Sequence, residues 1–140
     1  MRKRTQGREF ALQILYQIDI THDIHQDSIN NFWQAHIEDD IEDEIKNFTS
    51  ELVKGTIDNI EVIDTNIAKY ATNWQLKRMA VVDRNILRMG CCELMFRNDI
   101  PLKVSINEAV ELAKKYSGLE ASKFVNGILD KIKPQKDKGI

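Results

Sequence analysis

The sequence has 140 residues, 42% hydrophobic and 30% charged, which are ordinary values for one globular domain. Helix breakers are scarce, and no run approaches the roughly 18 apolar residues that a membrane span needs. The basic start is followed by polar residues, which argues against a signal peptide. The adjacent Cys91 and Cys92 cannot easily bridge each other. With no metal-site spacing around them, they are interpreted as reduced thiols of a cytoplasmic protein.

The net charge of −2 conceals a strong asymmetry along the chain. Residues 1–18 carry a net charge of +3, residues 19–64 carry −11, and residues 65–140 carry +6. Basic ends attract polyanions such as nucleic acid. An uneven scatter of charge without a function explains the totals equally well.

Helical periodicity runs along most of the chain, without β alternation of useful length. The apolar spacing predicts a helix over about 5–20, then a short helix capped by Asp27 or Ser28. Residues 41–74 predict one long central helix or two helices end to end. Another helix is expected over about 79–97.

The remaining elements follow Pro101. Ser105 and Glu108 have the spacing of a capping box at a helix start, and Ser117-Gly118 is expected to end that helix. A last helix is expected over about 120–132, before a polar, disordered tail at 135–140. Gly90 and Gly127 suggest close helix packing.

Enzyme and metal motifs are absent from the sequence. It contains no phosphate-binding glycine loop, zinc-protease motif or nucleophile elbow. His22 and His25 are spaced for a metal but have no obvious third ligand. The acidic run 38–44 is best explained as a solvated start of a helix. We therefore expect neither catalysis nor a cofactor.

Two segments are candidates for binding RNA. The first is the basic start, with Arg2, Lys3, Arg4 and Arg8, because cations and especially guanidinium groups bind phosphate. A solubilising terminus is an equal alternative. The second is the stretch 117–127, where a glycine loop opens a helix, Lys123 adds charge and Phe124 can stack on a base. Periodicity places Phe124 in the core equally well.

The chain resembles the NusB family of bacterial transcription antitermination factors over about residues 2–132. Four sequence motifs, in the family's order, carry the resemblance. They are Arg8-Glu-Phe-Ala-Leu-Gln-Ile-Leu-Tyr16, Val82-Asp-Arg-Asn-Ile-Leu-Arg88 with Glu93-Leu94, Ile100 to Lys114, and Lys123-Phe-Val-Asn-Gly-Ile-Leu-Asp130.

The resemblance implies an all-α fold of two small helical bundles with about six to seven helices. It implies one domain over 1–134, divided into subdomains at about 1–75 and 76–134. It also implies that the protein binds single-stranded boxA RNA together with NusE, a small-subunit ribosomal protein. RNA polymerase and other Nus factors would be indirect partners in ribosomal RNA transcription, and no membrane would be involved. Monomer and homodimer both remain open.

The resemblance also implies roles for individual residues. The expected RNA-binding residues are Arg2, Lys3, Arg4, Arg8, Lys123 and Phe124, and the expected partner-binding residues are Tyr16 and Asp83. Tyr16 combines an apolar body with a polar tip, which suits an interface. Asp83 has no base one helical turn away on either side, which leaves its charge free for a partner. Leu119-Glu-Ala121 departs from the more polar sequence of some relatives.

Two other functions compete with this interpretation. Some RNA methyltransferases carry a NusB-like domain, but 140 residues leave no room for a methyl-donor domain. A helical adaptor that binds protein alone, with the basic start as a passive tail, is the second alternative. Neutralising the basic start separates the adaptor from the RNA-binding factor, because only the factor should then bind RNA more weakly while its partner complex stays intact.

Overall fold

The computed structural model describes the backbone of residues 2–139 and the side chains of residues 2–133. Within that range it consists of helices and connecting turns, which confirms the all-α class. The α-helices are α1 (Lys3–Thr21), α2 (His25–Ala35), α3 (Asp43–Asp58), α4 (Ile60–Tyr70), α5 (Val81–Phe96), α6 (Leu102–Tyr116) and α7 (Leu119–Gly139). No helix among the described residues has the length and apolar character needed to cross a membrane. The last helix, expected to end near residue 132, continues as α7 to Gly139, so it includes most of the expected disordered tail at 135–140.

The chain divides into two compact units, Met1–Asp58 and Asn59–Ile140. The boundary expected near residue 75 is therefore corrected to Asp58/Asn59. The reason is that α4 packs against α5 and α7, so it contributes to the core of the second unit.

The expected long central helix is two helices, as the second of the two alternatives had it. The first, α3, ends at Asp58, and α4 begins at Ile60. Between them Asn59 has φ −115° and ψ 22°, outside helical geometry. Asparagine is a weak helix former because its side chain competes for backbone hydrogen bonds. Gly55, by contrast, remains inside α3.

The first unit is built on the packing of α1 against α3. The predicted apolar stripe of α1 is confirmed, since Ala11, Ile14 and Leu15 are almost fully buried. The helices approach closely at Gly7, where an added Cβ would lie 2.8 Å from Cδ2 of Phe48. The Thr49 hydroxyl donates a hydrogen bond to the Gly7 carbonyl oxygen at 3.1 Å.

The second unit surrounds α5, which packs against α4, α6 and α7. Gly90 of α5 permits the close approach predicted for it, because an added Cβ would lie 2.8 Å from Cδ1 of Leu129. Arg88 of α5 donates two hydrogen bonds to the Asp64 carboxylate of α4, at 2.9 and 3.0 Å. The prediction for Gly127 is wrong, since nothing lies within 4 Å of its Cβ position.

The predicted helix caps are wrong at two helices. Ser105 lies inside α6, which starts after Pro101, and its hydroxyl donates to the buried Glu93 carboxylate at 2.8 Å. Asp27 and Ser28 lie inside α2, which starts after Ile24. In both cases the helix begins about one turn before the residue that the local capping signal indicated.

Candidate nucleic-acid interface

The basic start is the first turn of α1. Arg2 is the extended residue before the helix, and Lys3 and Arg4 are exposed in its first turn. No acidic residue stands in that turn, so these cations lie where the helix dipole is already positive. Such a helix terminus favours a bound anion.

In the free chain, the carboxylates of Glu42 and Glu44 in the same unit bind one of these cations. The Lys3 ammonium lies 2.9 Å from Oε2 of Glu42 and 3.0 Å from Oε2 of Glu44. Hydrogen bonds from Lys3 to Glu42 and then Glu44 raise the pKa of its ammonium above the usual value. All three side chains are solvent-exposed, so the pairs are weak and a phosphate can displace them.

Arg8 is placed differently from the expected RNA contact. Its side chain is 2% exposed, and its guanidinium carbon lies 5.3 Å from the centroid of the Phe48 ring. Arg4 lies over the same ring at 4.9 Å but remains exposed. The expectation that Arg8 contacts RNA is therefore corrected, because its guanidinium is packed between α1 and α3.

Lys123 and Phe124 lie in the second turn of α7, in the second unit. The loop expected before them is reduced to Ser117 and Gly118, and Gly118 adopts φ 121° in the left-handed region. Leu119-Glu-Ala121 forms the first turn of α7 itself. Lys123 is exposed and Phe124 is half-buried, with its ring edge-to-face against the exposed Trp74 ring at 6.3 Å between centroids.

Two grooves share the Trp74 and Phe124 rings. The first, of about 250 Å³, we call the Gly127 groove. Its lining includes Asn73, Trp74, Lys123, Phe124, Gly127 and Lys131, and none of the described residues that line it is acidic. The second, of about 460 Å³, we call the Asp83 groove. Its lining includes Trp74, Arg78, Asp83, Ser117, Glu120 and Phe124.

The Asp83 carboxylate is incompletely paired. Its Oδ1 atom is buried and finds no hydrogen-bond partner among the described residues. A buried acceptor without a donor is unfavourable, so this oxygen destabilises the free chain. The structure thus brings a predicted partner residue, Asp83, and a predicted RNA residue, Phe124, to one groove.

Tyr16 lies on the exposed face of α1 in the first unit and is 41% exposed. Ile20, one turn further along α1, is 54% exposed. Because positions four apart share a helix face, Tyr16 and Ile20 form an exposed apolar patch. Such patches are typical of protein interaction surfaces.

The structure gives no sign of catalytic or metal chemistry in the described residues. No group of three or more His, Cys, Asp or Glu side chains there is arranged to hold a metal ion. Burial raises the pKa of the Cys91 thiol to about 12, and Cys92 and Asp64 add to this effect. The thiol therefore stays neutral near pH 7 and is a poor nucleophile.

The sequence of this chain matches one protein family over nearly its whole length. The sequence model of the NusB family matches residues 5–134. The chain belongs to the NusB family. The transcription antitermination protein NusB of Thermodesulfovibrio yellowstonii is 44% identical over 138 residues, which cover 93% of this chain and 91% of that protein. The NusB of Anaeromyxobacter dehalogenans is 45% identical over 130 residues, covering 93% and 89%.

Solved NusB structures share the fold. NusB of T. maritima superposes with a TM-score of 0.84 at 32% identity, covering 96% of each chain. A chain from the crystal structure of the antitermination factors NusB and NusE in complex with double-stranded RNA has a TM-score of 0.83 at 31% identity. That match covers 96% of this chain and 98% of the other. Membership of a family of antitermination proteins confirms that the chain is not an enzyme.

Three residues of the surfaces described above are not predicted as surface sites from the sequence. Trp74 falls at the end of the helix predicted over 41–74, yet it follows α4 and is 56% exposed. The polar Thr72-Asn73 before it was the available signal of a turn. Lys131 is the second, and its spacing from Lys123 was the available signal, because it places both lysines on one face of α7. Ile20 is the third: the predicted helix ends there, whereas it is an exposed apolar residue within α1.

Proposed function

We propose that this chain is an RNA-binding transcription antitermination factor that binds boxA-type RNA together with the ribosomal protein NusE. In this role it supports ribosomal RNA transcription in the cytoplasm, with RNA polymerase and other Nus factors as indirect partners. The observation that carries the proposal is the first turn of α1, where exposed cations stand at a helix N-terminus. The 31% identical relative that was crystallised with NusE and RNA supports it.

The proposed RNA contact of the first unit is made by Arg2, Lys3 and Arg4. Their charges add to the positive end of the helix dipole, so a phosphate would be bound by both. Glu42 and Glu44 occupy Lys3 in the free chain and would be exchanged for phosphate on binding. Lys123 and Phe124 supply the proposed RNA contact of the second unit.

The proposed partner contacts use Tyr16 and Asp83. Tyr16, with Ile20, offers an exposed apolar patch with a hydroxyl, a combination common at protein interfaces. Asp83 is half-buried in the lining of the Asp83 groove, where its carboxylate offers a negative charge to a basic ribosomal protein. Because Asp83 and Phe124 line one groove, partner and RNA would meet there, which gives a physical route to cooperative binding.

The proposal specifies single-stranded RNA, whereas the RNA in the relative's complex is double-stranded. A half-buried Phe124 beside an exposed Trp74 is suited to unpaired bases, whose faces are free to stack. Matched single-stranded and double-stranded RNA of one sequence would separate these two substrates.

The experiment that tests the proposed function combines Arg2→Gln, Lys3→Gln and Arg4→Gln in the full chain. We expect weaker binding of boxA-type RNA in fluorescence anisotropy. The slope of log affinity against log salt should become less steep by about 2, since each phosphate contact to a single strand contributes about 0.7. Affinity for a NusE-type ribosomal protein should change less than twofold, because these residues are not in the proposed partner surface.

The matched control is Lys114→Gln, which removes an exposed charge from α6 outside both grooves. This variant should bind RNA like the unmodified chain. Unchanged affinity and salt slope in the triple variant would contradict RNA binding by the first turn of α1 and favour a protein-binding adaptor.

A further inference from the structure

The bare backbone at Gly127 has no structural explanation inside the protein. A glycine in a helix interior costs about 1 kcal/mol relative to alanine, a cost usually offset by close packing. At Gly90 that packing exists, because Leu129 lies against the Cβ position. At Gly127 nothing among the described residues lies within 4 Å of that position, apart from the adjoining part of α7 itself, and the residue is exposed in the lining of the Gly127 groove. A ligand can therefore approach the helix backbone at position 127 more closely than it could if any other residue, with its Cβ atom, stood there.

Two lysines flank the glycine on the same helix face. Lys123, Gly127 and Lys131 are spaced four residues apart, so they form one stripe of about 12 Å along α7. Both lysines are exposed and line the groove. The Lys123 ammonium lies 3.8 Å from Glu120 in a pair whose side chains are 65% and 92% exposed, so this pair is weak.

Aromatic surface completes the groove. The Trp74 side chain is 56% exposed and contacts the Phe124 ring edge-to-face, which leaves area on the indole accessible to solvent. A volume of about 250 Å³ is just below the roughly 300–1,000 Å³ of pockets that enclose drug-sized ligands, and suits one planar base with its sugar. Cations, an aromatic face and a described lining without acidic residues together match the chemistry of a nucleotide.

We propose that the Gly127 groove binds one unpaired nucleotide of single-stranded RNA, with the base stacked on Trp74 and the phosphate over Gly127 between Lys123 and Lys131. This inference rests on the proposed RNA-binding function and adds Trp74, Gly127 and Lys131 to its site. Gly127 is present because any Cβ there would occupy the space of the RNA backbone.

The test uses the full chain, labelled single-stranded boxA-type RNA and fluorescence anisotropy. Gly127→Leu fills the groove and should weaken binding about tenfold. Trp74→Ala should also weaken it about tenfold, since stacking of one base contributes about that factor or more, and Trp74→Phe should restore most of the loss. Lys131→Gln should make the salt slope less steep by about 0.7, whereas Lys114→Gln should not change it.

A spectroscopic signature separates stacking from a structural effect. RNA should quench the tryptophan emission of the unmodified chain, and Trp74→Phe should remove most of that quenching while Trp33 remains. Circular dichroism and urea midpoints of each variant identify any loss of folding, and Gly127→Leu should not lower the midpoint because its side chain points into open space.

The outcomes distinguish this site from the function on which it rests. If the first-turn triple variant loses RNA while Gly127→Leu, Trp74→Ala and Lys131→Gln bind within twofold of the unmodified chain, the groove is not a nucleotide site and the proposed function stands. If the unmodified chain binds no RNA with or without a NusE-type protein, both are overturned.

Discussion

At the scale of single residues, the two arginines of α1 show why sequence assigns charge but not exposure. Arg4 and Arg8 are one helical turn apart, and both guanidinium groups lie over the Phe48 ring. Arg4 is exposed, whereas Arg8 is 2% exposed. The difference arises because Arg8 is one turn deeper along α1, where α3 covers it. Spacing along α1 could not reveal this, since the covering residues are about 40 positions away.

Replacing Arg4 and Arg8 one at a time should separate effects on the stability of the fold from effects on RNA binding. Arg8→Ala should lower the free energy of unfolding by about 2 kcal/mol, because it removes a buried side chain and its contact with Phe48. Its RNA affinity, measured where the variant is folded, should remain within twofold. Arg4→Ala should leave stability within about 0.5 kcal/mol and weaken RNA binding.

Urea denaturation and anisotropy on the same preparations give both quantities. If Arg8→Ala were as stable as the unmodified chain but bound RNA several-fold more weakly, Arg8 would be an RNA ligand after all, and its burial would describe the free state alone.

At the scale of helices, the periodic pattern predicted the existence of each element well and its ends less well. The apolar stripe of α1 is buried as expected, since spacing of three and four is enough to define a helix face. The Ser105 capping box failed because Ser105 bonds a buried Glu93 on another helix, a contact 12 residues away that no local pattern contains. The apolar pattern over 41–74 allows one helix or two, and it does not indicate the break at Asn59.

The two helical glycines yield a matched prediction for helix packing. Gly90→Ala should lower the free energy of unfolding by up to about 2 kcal/mol, because overpacking against the buried Leu129 outweighs the roughly 1 kcal/mol that alanine gains in a helix. Gly127→Ala should raise it by up to about 1 kcal/mol, because alanine favours the helix and the site is open. Urea midpoints of the two variants and the unmodified chain provide the measurement. Equal effects of the two substitutions would contradict the close approach of α5 and α7 at Gly90.

At the scale of the whole molecule, the charge asymmetry of the sequence is divided between two compact units. In the first unit, Lys3 of the basic helix start forms ion pairs with Glu42 and Glu44. In the second unit, the cationic Gly127 groove adjoins the Asp83 groove, whose lining includes acidic residues. The sequence predicted the basic start and the pair Lys123 and Phe124 by composition and resemblance. It could not predict the grooves, because they arise from the segment after α4 packing beside α7.

Adjoining grooves have a consequence for binding at this scale. A partner that donates a hydrogen bond to Asp83 and an RNA base that stacks near Phe124 would share the Trp74 and Phe124 side chains as a common wall. Ordering those rings by one ligand would reduce the entropic cost of binding the other. The proposed function therefore requires positive coupling between RNA and the ribosomal protein, not simply two independent affinities.

The measurement that tests this coupling is fluorescence anisotropy of labelled boxA-type RNA with the full chain, with and without a NusE-type ribosomal protein, across a salt series. We expect the partner to tighten boxA binding about tenfold, within the usual range of coupling between sites, and to have little effect on a scrambled RNA of the same length. Equal, weak binding of both RNAs with and without the partner would contradict the account and leave a helical protein adaptor with a basic helix start.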